Sequence, residues 1–222
     1  MKTGTILLLF FYFLLLMMAG IACRAPQKTK MATVIEQLME GNHRFASMHQ
    51  SHPHDTKQRR VEISEAQHPF AAIICCSDSR VPPELVFDQG LGDLFVVRTA
   101  GNLMSGLEIG SIEYAVEHLG VKEVIIMGHK ECGALKAFAE GGTVSGHIKD
   151  IVDSIKSEQE IRQLPANDKN LLNDCIRANV LHGIHQLKLQ STLLASRINN
   201  NELQVLGACY DMRSGVVELI QE

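Results

Sequence analysis

A chain of 222 residues holds one domain, or at most two small ones, and is long enough to bury a substantial core. Its net charge of −4, spread over interspersed acidic and basic residues with no basic stripe, gives no footprint for nucleic acid. With no Trp and few aromatic residues, it offers no broad stacking platform for a ligand.

The N-terminus reads as a separate segment. Lys2 precedes an unbroken apolar run from Ile6 to Met18, and Ala19-Gly20-Ile21-Ala22-Cys23 follows. A short basic flank, an apolar stretch and then small residues describe a secretory signal peptide over residues 1–22. Cys23 opens a second reading, a bacterial lipoprotein with a lipid anchor on that cysteine, although Gly20 stands where such sites usually carry Leu. The run is shorter than the roughly 20 residues of a spanning helix, which ranks an uncleaved membrane anchor third. All three readings export the domain, to the periplasm or a membrane surface if the source is bacterial. Residues 23–30 form a short polar linker, and the domain spans 31–222.

From Thr33 to Phe45, apolar Val34, Ile35, Leu38, Met39 and Phe45 recur at helical spacing and predict an amphipathic helical arm that docks on a neighbour. His43, His49, His52 and His54 then crowd a polar stretch broken by Pro53. A histidine cluster can bind metal, but without a fixed scaffold this one reads as a solvated loop. Phe70–Cys75, Leu94–Val97, Val124–Met127 and Val205–Cys209 are short apolar runs, each followed by turn chemistry, as fully buried parallel strands read. Leu107–Leu119 is a helix with Ile109, Ile112, Ala115, Val116 and Leu119 on one face. Residues 168–197 give a second long helical pattern, and Val216–Ile220 an edge strand after the Ser214-Gly215 turn. Alternating strands and helices predict an α/β fold, a central largely parallel sheet flanked by helices.

Two motifs carry chemistry: Cys76-Ser77-Asp78-Ser79-Arg80 and Gly128-His129-Lys130-Glu131-Cys132-Gly133. Cys76, His129 and Cys132 supply two thiolates and an imidazole, three corners of a zinc tetrahedron with the fourth open, the ligand count of a catalytic rather than a structural zinc. The expected cofactor is one Zn2+ per chain. Asp78 and Arg80 are spaced to pair through a bidentate fork. Asp78 is also the one nearby group able to close the metal shell. Each motif follows a predicted strand, and sites in such sheets lie beyond the carboxyl ends of the strands. Of the six cysteines, Cys75 and Cys209 sit in strand-like runs and read as small buried hydrophobes. Cys175 falls on a helix, exposed or not.

These motifs resemble the β-class carbonic anhydrases, and the likeness runs from about Met31 to the C-terminus. Its other stations include Leu38-Met39-Glu40-Gly41-Asn42 with Arg44-Phe45, Phe95-Val96-Val97-Arg98 with Gly101-Asn102, Ile112-Glu113-Tyr114-Ala115-Val116, Asn179-Val180 and Tyr210-Asp211. The resemblance implies zinc-dependent, reversible hydration of CO2 to bicarbonate. Asp78 would orient the attacking hydroxide and Arg80 would hold Asp78 ionised. In some members the matching aspartate binds zinc in a resting state, so Asp78 is also a candidate ligand. By resemblance alone, Gln67, Phe95, Tyr114 and the Gly133 amide fall at substrate-binding positions. Phe95 and Tyr114 fit a plain core role equally well. A homodimer or higher homo-oligomer is implied as well. Two thiolates cancel the formal charge of the metal, so activity should rise into mildly alkaline pH. Two alternatives remain on the sequence: a non-catalytic zinc-thiolate binding protein, and a hydrolase of a CO2-like molecule such as carbon disulfide. The Asp78–Arg80 pair favours a catalyst, because metal storage has no use for it.

Overall fold

The computed structural model describes residues 33–165 and 170–221. The expected signal peptide and linker, with Cys23, fall outside the described residues. A five-stranded sheet forms the centre, in the order β2-β1-β3-β4-β5. The strands are β1 (Ala71–Cys76), β2 (Leu94–Thr99), β3 (Glu123–His129), β4 (Gln204–Tyr210) and β5 (Val217–Ile220). The first four run parallel, and β5 returns antiparallel to β4. The expected sheet is therefore present, with its edge strand where the Ser214-Gly215 turn predicted it.

β1 shows why these runs are strands. Every one of its residues is buried, and alternate side chains enter opposite layers, as the two-residue period of a strand demands. Ala72 and Ile74 join Val124 and Ile126 on one face, under α4 (Gly106–Leu119), α8 (Leu171–Gln190) and α9 (Thr192–Asn199). Ala71, Ile73 and Cys75 join Ile125 and Met127 on the other, under α1 (Val34–Ala46) and α3 (Pro83–Val86). At ~25 cal/mol per Å² of apolar surface, two such faces supply the main drive for folding. Cys75 is accordingly an inert hydrophobe, its thiol pushed up to about 12, chiefly by burial.

The predicted helical arm is α1, started by a capping box between Thr33 and Glu36. It docks on its own chain. The buried Asn42 side chain donates to the carbonyls of Val86 and Gly215 and accepts from the Val217 amide. The expected long helix over 168–197 is two helices. Ser191 adopts extended backbone between them, and its hydroxyl accepts from the Leu194 amide to cap α9. A side-chain oxygen that satisfies a helix-start amide is a strong stop-and-restart signal. Cys175, on α8, is fully buried, whereas Cys209 is half-buried. Four short helices had no clear sequence period: α2 (Lys57–Glu62), α3, α5 (Gly133–Ala139) and α7 (Gln159–Arg162). α6 (His147–Ser157), with one apolar edge on Ile151 and Ile155, was also passed over.

The histidine-rich stretch is pinned by two carboxylates, Asp88 and Asp93. His54 pairs with the buried Asp93 at 2.7 Å. The backbone amides of Ser51 and His52 donate to Asp88, which also accepts from Arg44.

Candidate active site

Cys76 is the last residue of β1 and His129 the last of β3, and these strands are neighbours with Cys75 opposite Met127. Both side chains therefore emerge at the same carboxyl edge of the sheet. From His129 the chain turns through Glu131, at φ +56°, into Cys132, which caps the N-terminus of α5. Left-handed backbone is uncommon for a residue with a side chain, and this turn brings Cys132 back beside His129. The candidate ligand atoms of Cys76, His129 and Cys132 all lie within 4.8 Å of one another. No other such cluster of His, Cys, Asp or Glu occurs among the described residues.

The donor chemistry fits a thiophilic divalent cation. His129 is fully buried, and its Nδ1 lies 2.9 Å from the carbonyl of Lys130. With the proton on Nδ1 donated there, Nε2 keeps its lone pair and has no partner among the described residues. A backbone carbonyl that fixes the tautomer in this way is the usual support for a metal-binding imidazole. The Cys76 sulfur accepts from the amides of Asp78 and Gly101 at 3.4 and 3.3 Å. The Cys132 thiol alongside, helped by the Asp78 and Gly101 amides, holds Cys76 in its thiolate form, well below the ordinary thiol range, against the opposing effect of burial. The same thiol-to-thiolate contact, with burial, pushes Cys132 up. One proton shared between two sulfurs is what a cation would displace.

Beside this cluster, Asp78 and Arg80 form the expected fork. Asp78 Oδ1 accepts from the Arg80 amide at 3.0 Å and from its Nε at 2.9 Å, and Oδ2 accepts from the guanidinium at 2.7 Å. The guanidinium holds the Asp78 carboxyl well below the usual carboxylate range. With its oxygens engaged by Arg80, Asp78 is not among the clustered ligand atoms. Sequence reasoning missed Arg98, the one charge at the end of apolar β2. Its guanidinium donates to the carbonyls of Cys76 and Asp78 at 3.1 and 2.6 Å and fixes the loop between them.

The remaining predicted residues divide. Gly133 follows Cys132 directly and opens α5 with nothing within 4 Å of where a Cβ would sit. Phe95 and Tyr114 pack on each other, ring centroids 6.3 Å apart, along β2 and α4. Phe95 borders the core, and Tyr114 is exposed. Gln67 is exposed ahead of β1 and makes no hydrogen bond to the cluster.

The sequence pattern of the carbonic anhydrase family matches residues 71–217. A carbonic anhydrase of Mycolicibacterium smegmatis is 37% identical over 186 residues, which covers 82% of this chain and 89% of that one. Among solved structures, the β-carbonic anhydrase CcaA superposes with a TM-score of 0.67 at 27% identity, over 85% of this chain and 96% of that one. A tetrameric β-carbonic anhydrase of Sordaria macrospora shares the fold, with a TM-score of 0.64 at 24% identity over 82% and 94% of the two chains.

Proposed function

We propose, since the chain belongs to the β-class carbonic anhydrases, that it hydrates CO2 to bicarbonate and a proton at a zinc held by Cys76, His129 and Cys132. The observation that carries this reading is the cluster of two sulfurs and a free imidazole nitrogen within 4.8 Å, beside a carboxylate clamped by arginine. Zinc there supplies Lewis-acid charge, which acidifies a water that would otherwise stay protonated at neutral pH.

The chain's own groups do the rest. His129 Nδ1 keeps its proton on the Lys130 carbonyl and so presents Nε2. Arg80 keeps Asp78 ionised and fixes its rotamer. Asp78 accepts the hydrogen of the attacking oxygen and turns that oxygen's lone pair toward the carbon of CO2. One water and one CO2 become bicarbonate, and the released proton passes to solvent. Gln67, Phe95, Tyr114 and the Gly133 amide complete the substrate pocket in this reading. Leu107 and Tyr114, both exposed on α4 alongside edge strand β2, support a homodimer as the functional unit. The segment up to Ala22 exports the protein, and Cys23 starts the mature chain, with or without lipid.

Stopped-flow CO2 hydration on metal-analysed protein tests the activity. The expected result is one zinc per chain and hydration that rises into mildly alkaline pH. Cys132→Ser should lose most of the zinc. Full zinc retention in that variant overturns the ligand set, and zinc-loaded wild type without hydration overturns the reaction.

A further inference from the structure

Away from the cysteine-histidine cluster, a polar pocket of about 230 Å³ opens between α6, α8 and the turn at Asn102, Leu103 and Met104. Glu158 lines it, at the junction of α6 and α7, and is 1% exposed. Its Oε1 accepts from Asn179 at 2.9 Å, and Asn179 accepts in turn from Asn102 at 2.6 Å. Its Oε2 is buried and has no partner among the described residues. A buried acceptor left unpaired costs ~1–3 kcal/mol, and more when it is charged. Nothing in the proposed CO2 chemistry uses this group.

The lining decides what would satisfy it. No lysine or arginine faces the pocket. Glu160, in the first turn of α7, adds a further negative charge nearby. The imidazoles of His182 and His185 are both already engaged with Glu160, at 2.5 and 2.6 Å. An anion would therefore meet two acids and no fixed cation. The other polar groups around the pocket include the hydroxyls of Ser154 and Ser157 and the side-chain amides of Gln186 and Gln190, whose oxygens can accept, with Leu103 and Met104 as an apolar edge.

We propose that this pocket binds a primary ammonium group, which donates to Glu158 Oε2 and the neighbouring hydroxyl and amide oxygens while a short alkyl body lies against Leu103 and Met104. Burial pushes Glu158 up to about 8, so near neutral pH it rests protonated. Seating the cation leaves the ammonium its own protons and sends the Glu158 proton to solvent, so charge and atoms balance. The pocket is separate from the proposed zinc site but shares one turn with it. Asn102 is the last residue of the 3-10 turn Ala100–Asn102, whose Gly101 amide donates to the Cys76 sulfur.

Isothermal titration calorimetry of the full zinc-loaded chain at about pH 9, where Glu158 is ionised, tests the proposal. The probes are n-propylammonium, ammonium, tetramethylammonium and potassium chlorides. A few heavy atoms at ~1 kcal/mol each give a dissociation constant on the order of 1 mM for n-propylammonium, one per chain. Ammonium binding as tightly as n-propylammonium identifies the free ion as the ligand, and weaker binding identifies an alkylamine. Tetramethylammonium, which has no N–H, should give no binding. Glu158→Gln keeps an acceptor for Asn179 and should weaken binding about tenfold or more. Ser154→Phe, at an exposed position of the rim, should do the same by filling the pocket and stands in if Glu158→Gln does not fold. Both variants should keep zinc and CO2 hydration, so failure here is separable from failure of the proposed reaction. No saturable heat at about fifty times that concentration, equal binding of potassium or tetramethylammonium, or unchanged affinity in a folded variant overturns the site.

Discussion

Both oxygens of Asp78 are taken by one arginine, and this makes the two residues a single unit. Asp78→Ala should leave zinc content near wild type and cut CO2 hydration on the order of 100-fold, the scale of loss when a reacting group is misaimed. Arg80→Ala should do similar harm by another route, because it frees the carboxylate to swing toward the metal. The double variant should be no worse than either single one, a strong departure from additivity. Stopped-flow rates with zinc quantified in all three decide this, and wild-type rates in both single variants would refute the mechanism. At this scale the sequence was largely readable. Cys76, Asp78 and Arg80 lie within five residues of one another, and His129 and Cys132 within four, so local spacing carried the chemistry. Arg98 was not readable. Its role depends on β2 lying beside β1 with Arg98 opposite Cys75, a pairing that no local pattern announces.

At the scale of elements, the docking of α1 has one critical contact. A Cβ added at Gly41 would sit 1.8 Å from the backbone carbonyl of Phe87, an atom that cannot move aside. Gly41→Ala should therefore lift α1 from the α3 end of the domain and cost about 3 kcal/mol, the upper end of the usual overpacking range. A urea midpoint unchanged from wild type would show that α1 does not dock this way. Strands were legible because helices pack on both faces of the sheet, so four apolar runs stood out against polar turns; β1 and β3 are buried as expected, whereas β2, at the sheet edge, and β4 are only half-buried. The break at Ser191 was not, because Leu193, Leu194 and Ile198 continue the apolar pattern straight through the cap. The helices α5 and α7 were missed for the opposite reason: at 7 and 4 residues they are too short to show a period.

At the scale of the whole molecule, two buried carboxylates pull stability in opposite directions with pH. Burial alone would raise the carboxyl of Asp88, but the amides of Ser51 and His52, the Arg44 guanidinium and the Ser51 hydroxyl outweigh it and lower it to about 2. Its folded form thus prefers charge, and the stability it contributes is lost as pH falls from about 4 through 2. Glu158 is the reverse. Burial raises it to about 8, against the hydrogen bond from Asn179 and with a further push from the charge of Glu160. Between an unfolded value near 4.3 and about 8, the folded state holds a proton that the unfolded chain has released, so stability falls as pH rises, by at most ~1.4 kcal/mol per unit. Glu158→Gln should flatten this alkaline slope. Denaturant titrations of both proteins at several pH values between about 5 and 8.5 check it, and parallel curves would show that Glu158 titrates normally.

The pairing of β1 with β3 has a kinetic consequence. His129 and Cys132 meet within one turn, but Cys76 reaches them only when the crossover through β2 and α4 has closed. An early chain thus offers two donors and a late one offers three. Closing so long a connection is slow compared with forming a local turn. The third sulfur is therefore a clock hand that moves last. During refolding, tight metal capture should lag helix formation and coincide with completion of the central strand pair. A chelator present from the start should then stop capture without slowing the helices.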